Sequence, residues 1–556
     1  MQLSLRRSLL FLAPALVVLT LPPPTSGLKG IHPAMADFET LNFRGAAACS
    51  SCHDTTNSRR GAWSEEGPVT VGQWSASIMA YGSDDPFWQA KVRSEVLRAP
   101  HLRETIEGKC AACHTPMAAT EATIAGDPVL LFENGFLDPE HPFHDAAMDA
   151  ISCTICHRIE NSENLGTDAG FSGSYTIDPM DTPVNRPHHG PYADTFDQPM
   201  LMTVGMANRF GNQINNPAIC ATCHNLKTPF LDAQGQIVGT GFPEQMPFSE
   251  WQAGDLANLE DPIGCQQCHM PIEDEGRIAR RPPWLDERAL ASHAFVSANI
   301  ETLSLLALET ALQGGDPGPL LASVEAGREL LINAGGLDLV GATFDDGTLE
   351  FALRIDNLTG HKLPTAFPSR RVYLHAVVRN HRGEIVFESG AMAGDGRIIG
   401  VDSDEDPNAF EPHHRTISTP DQVQVYEAVL GNTDNNVTAT LLRASQYLKD
   451  NRIVPPGFKP TTVPEDIRPA GLCLNDPDFG FGQDEVAYRL AGLDESRYDV
   501  SVELRHQAIG YPYLRDLAEF SEDPIVSRFL VLYDAVQPGS ELIAALTFEV
   551  ADEVVD

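Results

Sequence analysis

The sequence predicts an α+β protein of several parts: a mostly helical and irregular N-terminal domain, a helical hairpin and a C-terminal antiparallel β-sandwich. Three observations support this. One repeated cysteine motif is confined to the first half of the 556 residues, apolar residues recur at helical spacing near the middle, and they alternate with polar residues through much of the second half. The expected boundaries are 1–36 for a signal segment, 37–298 for the motif-bearing domain, 299–336 for the hairpin and 337–556 for the sandwich.

The N-terminal segment has the pattern of a cleaved secretory signal. Arg6 and Arg7 precede an apolar stretch, residues 9–21, that is too short to span a bilayer. Cleavage is expected after Gly27 or after Ala36, and an uncleaved N-terminal anchor is the alternative. The sequence therefore predicts a periplasmic or secreted protein, with no stable membrane span in the mature chain.

The chain is strongly acidic. Its 77 acidic and 38 basic residues give a formal net charge of −39. This argues against nucleic acids and anionic membranes as partners, because both require cationic patches. A solvated acidic surface is the simplest interpretation, and a basic protein partner is compatible with it.

Ten of the eleven cysteines fall into five C-x-x-C-H motifs. This is the attachment pattern of c-type haem, in which both cysteines form thioethers and the histidine becomes the proximal iron ligand. Zinc sites and redox dithiols do not require a histidine directly after the second cysteine. We therefore predict five covalent haem c groups, attached through Cys49 and Cys52, Cys110 and Cys113, Cys153 and Cys156, Cys220 and Cys223, and Cys265 and Cys268. The predicted proximal ligands are His53, His114, His157, His224 and His269.

The motif-bearing domain is rich in glycine, proline, asparagine and aspartate, and its periodic segments are short. Residues 86–99 are the clearest predicted helix, and Pro100 ends the run. A domain whose interior is filled by haem macrocycles needs little regular structure, so we expect a haem-packed cytochrome c domain. The eleventh cysteine, Cys473, is expected to be a small buried hydrophobic residue.

The hairpin and the sandwich are predicted because the spacing at which apolar residues recur changes along the chain. Leucines recur at helical spacing after residue 299, and Asp316-Pro317 marks the start of a second helix. Strands are predicted where apolar residues alternate, as in residues 349–355, 372–376, 500–504 and 542–550. We also expect a helical insertion at residues 441–450.

The chain resembles a family of exported multihaem c-type cytochromes of the cytochrome c-552/4 domain type. The resemblance covers nearly all of the mature chain. It rests on WSASIMAYGSDDPFWQAKV (74–92), CAACHTPMA (110–118), CTICHRI (153–159), FPEQMPFSEW (242–251), CQQCHMP (265–271), TGHKLPTAFPSRRVYLH (359–375) and YLKDNRIVPPGF (447–458). The resemblance implies haems, the overall architecture and electron transfer with redox partner proteins, while related folds include enzymes acting on small nitrogen compounds. Relatives often carry a histidine shortly before the fourth motif, where this chain has Asn212-Gln213-Ile214.

The second axial ligand decides the chemistry of each iron. Two histidines give a closed, low-potential carrier, methionine with histidine raises the potential, and an open position allows a small molecule to bind. Met200, on a segment after Pro199, is a weaker candidate, and each candidate has an ordinary core, surface or turn role as its alternative. The leading candidates are His293, His361, Met79, His144 and His188.

The leading functional hypothesis is electron transfer by stepwise hopping through five haems. One alternative is a multihaem oxidoreductase that acts on a small nitrogen or sulfur compound at an open-site haem. Another is a subunit of a conducting cytochrome filament. No catalytic side chain is predicted, and every motif ends in histidine rather than in the lysine that marks one kind of specialised haem.

Overall fold

The computed structural model describes residues 35–54, 70–282, 284–494, 497–537 and 539–551. It shows a mixed α+β protein whose larger sheets are mainly antiparallel, which confirms the predicted fold class at that level. The predicted signal segment, with its first cleavage position at Gly27, lies almost entirely outside the described residues. No helix of the described part is long and apolar enough to cross a membrane.

The motif-bearing part consists of short helices joined by long connections. Its strands form three two-stranded sheets: β1 (Arg186–Gly190) with β2 (Met206–Phe210), β3 (Leu226–Leu231) with β4 (Ile237–Gln245), and β5 (Ile272–Arg277) with β6 (Glu287–Ala291). Its helices are α1 (Ala46–His53), α2 (Thr70–Ser75), α3 (Pro86–Arg98), α4 (Arg103–His114), α5 (Pro116–Ala125), α6 (His144–Met148), α7 (Cys153–Arg158), α8 (Gln198–Val204), α9 (Ala218–His224), α10 (Pro247–Gln252) and α11 (Cys265–His269).

Local sequence signals, an aspartate cap and a first-turn proline, define the start of helix α3. The Asp85 carboxylate accepts hydrogen bonds from the backbone N–H groups of Phe87 (2.8 Å) and Trp88 (3.1 Å), and a proline occupies the first helical position. The helix ends at Arg98, one residue before the end that the sequence predicted. Its buried face includes Val92 and Val96.

Two packed helices follow the motif-bearing part. They are α12 (Ile300–Leu312) and α13 (Gly318–Leu331), and α13 begins after a turn in which Asp316 accepts from the N–H of Gly318 at 2.9 Å. Leu303, Leu306, Leu320 and Val324 are buried between the pair and the neighbouring sheets.

Two large sheets form after residue 335. One has the order β13-β12-β9-β15-β16, with β10 also paired to β9, and the other has the order β11-β14-β8-β7. Every pair is antiparallel except β11 with β14. The strands are β7 (Gly335–Asp345), β8 (Thr348–Asn357), β9 (Arg371–Asn380), β10 (Ile385–Ser389), β11 (Thr416–Ile417), β12 (Val425–Gly431), β13 (Gln446–Asp450), β14 (Gln483–Ala491), β15 (Arg497–Gln507) and β16 (Glu541–Ala551). A short helix, α14 (Asp402–Glu405), lies between β10 and β11.

The two sheets pack face to face through alternating apolar residues. On β8, Leu349, Phe351, Leu353 and Ile355 are all buried, while the residues between them are more exposed. Phe351 contacts Phe548 of the other sheet, with ring centroids 5.5 Å apart. The second half of the chain is therefore a two-layer β-structure, as its period predicted.

The expected helix at residues 441–450 is wrong. A single 3-10 turn, Leu441–Arg443, leads into strand β13, which pairs with β12. The strand buries Lys449 and Asp450 in ion pairs, with Lys449 Nζ 3.0 Å from Glu427. Because these partners lie far away in the sequence, the local apolar pattern carried no information about this segment.

Two C-terminal helices were not predicted. They are α15 (Tyr511–Ala518) and α16 (Pro524–Val536), and α16 packs against α3, where Phe529 contacts Phe87 at 5.3 Å between ring centroids. Ion pairs join the same elements, including Lys91 with Asp516 at 2.8 Å. The C-terminal half is thus bound to the motif-bearing half through a shared apolar core.

Candidate haem sites

Each C-x-x-C-H motif lies at the end of a short helix. Helices α1, α4, α9 and α11 end at the motif histidine, and α7 ends one residue later. Residues three and four apart share one face of a helix. Both thiols and the imidazole of each motif therefore lie on the same side of their helix, as covalent attachment of one macrocycle requires.

Four of the five motif histidines are oriented by the same kind of hydrogen bond. A carbonyl oxygen can only accept, so the ring nitrogen Nδ1 carries the proton and Nε2 keeps its lone pair. Metal-bound histidines usually donate their other N–H in this way. The bonds run from Nδ1 of His53 to Ile278 (2.7 Å), of His114 to Gly82 (2.7 Å), of His157 to His189 (2.6 Å) and of His269 to Val296 (2.7 Å).

Burial keeps the imidazoles of His53, His114, His157 and His224 neutral. It lowers the pKa of His114 and of His224 to about 4, and it lowers the pKa of His53 and His157 below the ordinary value. A neutral ring has a free lone pair at pH 7, whereas a protonated ring has none for a metal. The donor set therefore fits iron.

Thiols of different motifs lie close enough to influence one another. A neighbouring thiol raises the pKa of Cys153 (from Cys49), of Cys113 (from Cys223) and of Cys220 (from Cys265). The first pair joins motif 1 to motif 3, and the other two pairs join motifs 2 and 5 to motif 4. The attachment points are therefore neighbours in space in an order that differs from their order in the chain.

Backbone contacts support the same arrangement. The N–H of Gly173 donates to the carbonyl of Thr222 in motif 4 (2.6 Å), and a Cβ at Gly173 would lie 2.7 Å from the Cβ of Ala112 in motif 2. With its positive φ of 80°, this glycine allows both motifs to pack against one turn. Gln213, just before motif 4, donates to the carbonyl of Ile159, just after motif 3 (3.0 Å). Motif 4 is thus in contact with the surroundings of motifs 2, 3 and 5.

The structure brings His361 beside motif 5. The rings of His361 and His269 have centroids 6.5 Å apart and planes inclined by 16°. Two imidazoles on opposite sides of one metal, each with a metal–nitrogen distance of about 2.0 Å as for zinc, have centroids roughly 6–6.5 Å apart. His361 donates through Nδ1 to the carbonyl of Lys362 (2.9 Å), which leaves Nε2 for the metal. The spacing and the tautomer both suit a shared iron.

His293 stands in the same relation to motif 3. Its ring lies 6.5 Å from that of His157 at an angle of 13°, and its Nδ1 donates to the carbonyl of Ala291 (3.0 Å). His188 stacks on His157 at 4.4 Å, which is too close for one iron to lie between the two rings. His293 is therefore better placed than His188 to share an iron with His157.

The other two candidates are less clearly placed. His144, at the start of α6, donates through Nδ1 to the carbonyl of Phe136 (2.9 Å), but no ring stacking among the described residues joins it to a motif histidine. Met79 is half-buried, and its carbonyl accepts from the N–H of Ile151, two residues before motif 3. Both remain predictions.

Motif 1 faces a cavity. Cys49, Cys52 and His53 line a partly open, mostly apolar cavity, and Met200 of α8 lines it as well. Among the described ring contacts, none joins His53 to a second histidine. Met200 stays a candidate ligand at this motif.

The loop that carries His361 is held by buried polar contacts. The side-chain amide of Asn357 donates to the carbonyls of His361 (2.7 Å) and Ile453 (2.8 Å). Lys362 is 0% exposed, and its Nζ lies 2.6 Å from Asp450 of β13. Its backbone N–H donates to Glu250 of α10 at 3.1 Å. These contacts fix a loop of the C-terminal half against the motif-bearing half.

A cluster that sequence reasoning missed lies within the sandwich. His413, Asp476 and Asp484 are buried together, and such side chains are possible metal ligands. However, Nδ1 of His413 accepts from the amides of Gln424 (3.0 Å) and Asn451 (3.1 Å), so the ring proton is on Nε2 and points at Asp476. The imidazole has no lone pair left for a metal, and the cluster is a buried hydrogen-bond network. Cys473 is buried, as expected.

Comparison with known proteins supports the architecture. No protein-family model matches the chain, and no curated protein matches it at a significant level. One solved structure that it resembles is described as the crystal structure of a penta-heme cytochrome c552 from Thermochromatium tepidum. The two are 15% identical, the match covers 91% of this chain and 98% of that chain, and the TM-score is 0.50. At this identity the likeness shows the fold alone, and the fold resembles that of a multihaem c-type cytochrome.

Proposed function

We propose that the chain is an exported pentahaem c-type cytochrome that transfers electrons by stepwise hopping. The observation that carries this proposal is the close approach of the motifs to one another. Gln213 before motif 4 donates to the carbonyl of Ile159 after motif 3, and thiols influence one another between motifs 1 and 3, 2 and 4, and 4 and 5. Haem c, when bound, supplies one-electron chemistry. The protein contributes attachment points that lie close together and neutral histidines that face them.

These close approaches define a branched route. Motifs 1, 3 and 4 form one line, while motifs 2 and 5 both join it at motif 4. In this arrangement an electron that enters near motif 1, 2 or 5 reaches another end only by way of motif 4. Redox partner proteins, as donor and acceptor, are expected to meet the chain near these ends.

Two of the distal ligands follow from the spacing of the rings. His293 is proposed for the iron at motif 3, and His361 for the iron at motif 5. Bis-histidine ligation closes an iron to substrates, which is the property of a carrier.

EPR spectroscopy of the oxidised holoprotein, together with a haem assay, tests the proposal. We expect five haems per chain, all of them low-spin, and no spectral change on adding carbon monoxide to the reduced protein. Fewer than five haems would contradict the attachment of a haem at every motif. An iron that binds carbon monoxide would contradict the closed carrier.

Motif 1 is the place for a second candidate, because no ring contact among the described residues joins His53 to another histidine. If no side chain completes this iron, the site is open to a small molecule, and the chain is an oxidoreductase. In that case a high-spin signal is expected that shifts when nitrite or hydroxylamine is added.

A further inference from the structure

One charged side chain lines the cavity at motif 1. Cys49, Cys52 and His53 line this partly open, mostly apolar cavity, and Arg281 lines it with them. Burial keeps His53 neutral, so Arg281 is the one residue charged at pH 7 among the described residues of the wall. No ion pair or side-chain hydrogen bond joins its guanidinium to another described residue. The wall therefore carries a cation that has open space beside it.

The segment that carries Arg281 is fixed directly against motif 1. The carbonyl of Ile278 accepts from Nδ1 of His53 (2.7 Å), and the N–H of Arg280 donates to the carbonyl of Cys52 (2.8 Å). Ile278 also lines the cavity. Because the same short segment orients the motif histidine and carries the guanidinium, the backbone sets the position of Arg281 beside the attachment site.

Two other arginines near motif 1 have carboxylate partners. Arg44, shortly before α1, lies 3.1 Å from Asp37, and Arg288, on β6, lies 2.6 Å from Asp194. A guanidinium keeps its charge in proteins, and its hydrogen bonds to a carboxylate are about twice as strong as neutral ones. In a chain with a formal net charge of −39, an arginine without such a partner on an apolar wall is an exception. Arg281 therefore favours an anionic group inside the cavity.

We propose that Arg281 binds the carboxylate of a propionate of the haem attached at motif 1. This inference rests on the proposed function, because it requires haem at that motif. The cavity provides space beside the guanidinium, whose planar N–H donors match a carboxylate. A small oxyanion from solution offers the same chemistry and has access through the opening of the cavity. The propionate is favoured because the attachment atoms of its haem, on Cys49 and Cys52, line the same cavity.

Potentiometric titration of matched variants tests the proposal. Arg281→Gln removes the charge, and Arg281→Lys keeps it but loses the planar arrangement of donors. Arg209→Gln is the control, because Arg209 is exposed and directly follows Asn208 of the cavity wall but does not line the cavity itself. We expect Arg281→Gln to retain five haems and to lower the potential of one of them, since loss of a nearby cation stabilises oxidised iron. Arg281→Lys should give a smaller shift, and Arg209→Gln none.

Each other result has a defined meaning. A titration of Arg281→Gln that superimposes on that of the wild type, with five haems present, would overturn the propionate contact and leave the proposed function intact. An equal shift in Arg209→Gln would also overturn it, because the effect would then come from surface charge in general. Fewer than five haems in the wild type would instead contradict the proposed function. If inorganic phosphate or nitrite shifts the wild-type titration but not that of Arg281→Gln, the anion comes from solution and the propionate assignment is wrong.

Should Arg281→Gln fail to accumulate, redox-difference infrared spectroscopy of the wild type and Arg281→Lys still decides the question. A carboxylate band that changes with iron oxidation and moves in Arg281→Lys supports the contact. Identical band positions in both proteins would overturn it.

Discussion

Motifs 5 and 1 carry the same attachment signal but have different surroundings. At motif 5 the ring of His269 lies 6.5 Å from that of His361, which is delivered by a loop of the C-terminal half. At motif 1 the ring of His53 faces a partly open cavity that Met200 of α8 also lines. On the proposed function, the repeated motif would specify where a haem is attached, while the rest of the chain would decide whether its iron is closed.

This difference gives the β-sandwich a chemical role. Lys362, next to His361, is ion-paired with Asp450 on β13 and hydrogen bonded to Glu250 on α10. Because these contacts are buried, the loop is held rigidly against the motif-bearing half. If His361 is the sixth ligand, the sandwich completes the site at motif 5, whereas the described residues that line the cavity at motif 1 all belong to the motif-bearing half.

Replacement of His361 should have the largest effect, because it removes the proposed sixth ligand at motif 5. His361→Ala is expected to convert one of five irons from low-spin to high-spin and to create one carbon-monoxide-binding iron. EPR and optical spectra of the oxidised and reduced protein measure both changes. His381→Ala, in an exposed turn, is the matched control. A fully low-spin His361→Ala protein would remove the proposed difference between motifs 5 and 1.

Replacement of Met200 tests whether this side chain closes the iron at motif 1. If the thioether completes the iron at motif 1, the wild type does not bind carbon monoxide, and Met200→Ala gains one binding iron. The potential of that haem should also fall, since methionine ligation raises it. Met202→Ala is a control on the same helix, because its side chain is 83% exposed. Carbon monoxide binding by the wild type itself would show that motif 1 is open.

The buried ion pair beneath His361 provides a smaller, structural effect. Lys362→Met leaves Asp450 paired only with Arg452, whose Nη2 lies 2.8 Å from it. Breaking a buried pair costs about 3 kcal/mol. We expect a lower free energy of unfolding and a partial high-spin signal from the iron at motif 5 only. Lys459→Met, at an exposed position, should change neither quantity. A variant that loses stability without any spectral change would separate the ion pair from the iron.

The proposed attachment sites depend only on local sequence information. Two cysteines and a histidine within five residues define both the chemistry and the shared helix face. The pairing of His361 with His269 is not local, since it depends on a loop that returns across 92 residues of chain from motif 5. The sequence identified His361 as a candidate in a turn, but only the fold shows that His269 is its neighbour.

Helices α15 and α16 and strand β13 were not predicted for the same reason, namely that their stabilising contacts are not local. Helices α15 and α16 are stabilised by packing on α3, through contacts such as Phe529 with Phe87, rather than by a local signal that sequence reasoning used. Strand β13 is stabilised by buried charges whose partners lie on β12 and in the loop of His361.

The smallest expected effect concerns the contact of Glu301 with the backbone of residues 508–509, which we call the seam between the hairpin and the sandwich. Glu301 of α12 accepts from the N–H groups of Ala508 (2.8 Å) and Ile509 (3.1 Å), and burial raises the pKa of its carboxyl to about 8. A carboxyl group whose pKa is higher in the folded than in the unfolded protein contributes stability at low pH, and that contribution is lost as the pH rises towards the folded pKa. The free energy of unfolding should therefore fall between pH 6 and pH 8 by up to about 1.4 kcal/mol per pH unit from this group.

Glu301→Gln should remove that slope, because an amide does not titrate in this range. Denaturant unfolding at several pH values measures it, and Glu522→Gln, at an exposed position, is the control. If the seam holds the sandwich against the haem sites, weakening it at pH 8 should loosen the site at motif 5, to which the sandwich contributes. The site at motif 1, which is lined by residues of the motif-bearing half, should keep its spectrum. Equal spectral changes at both sites would show that the seam does not distinguish them.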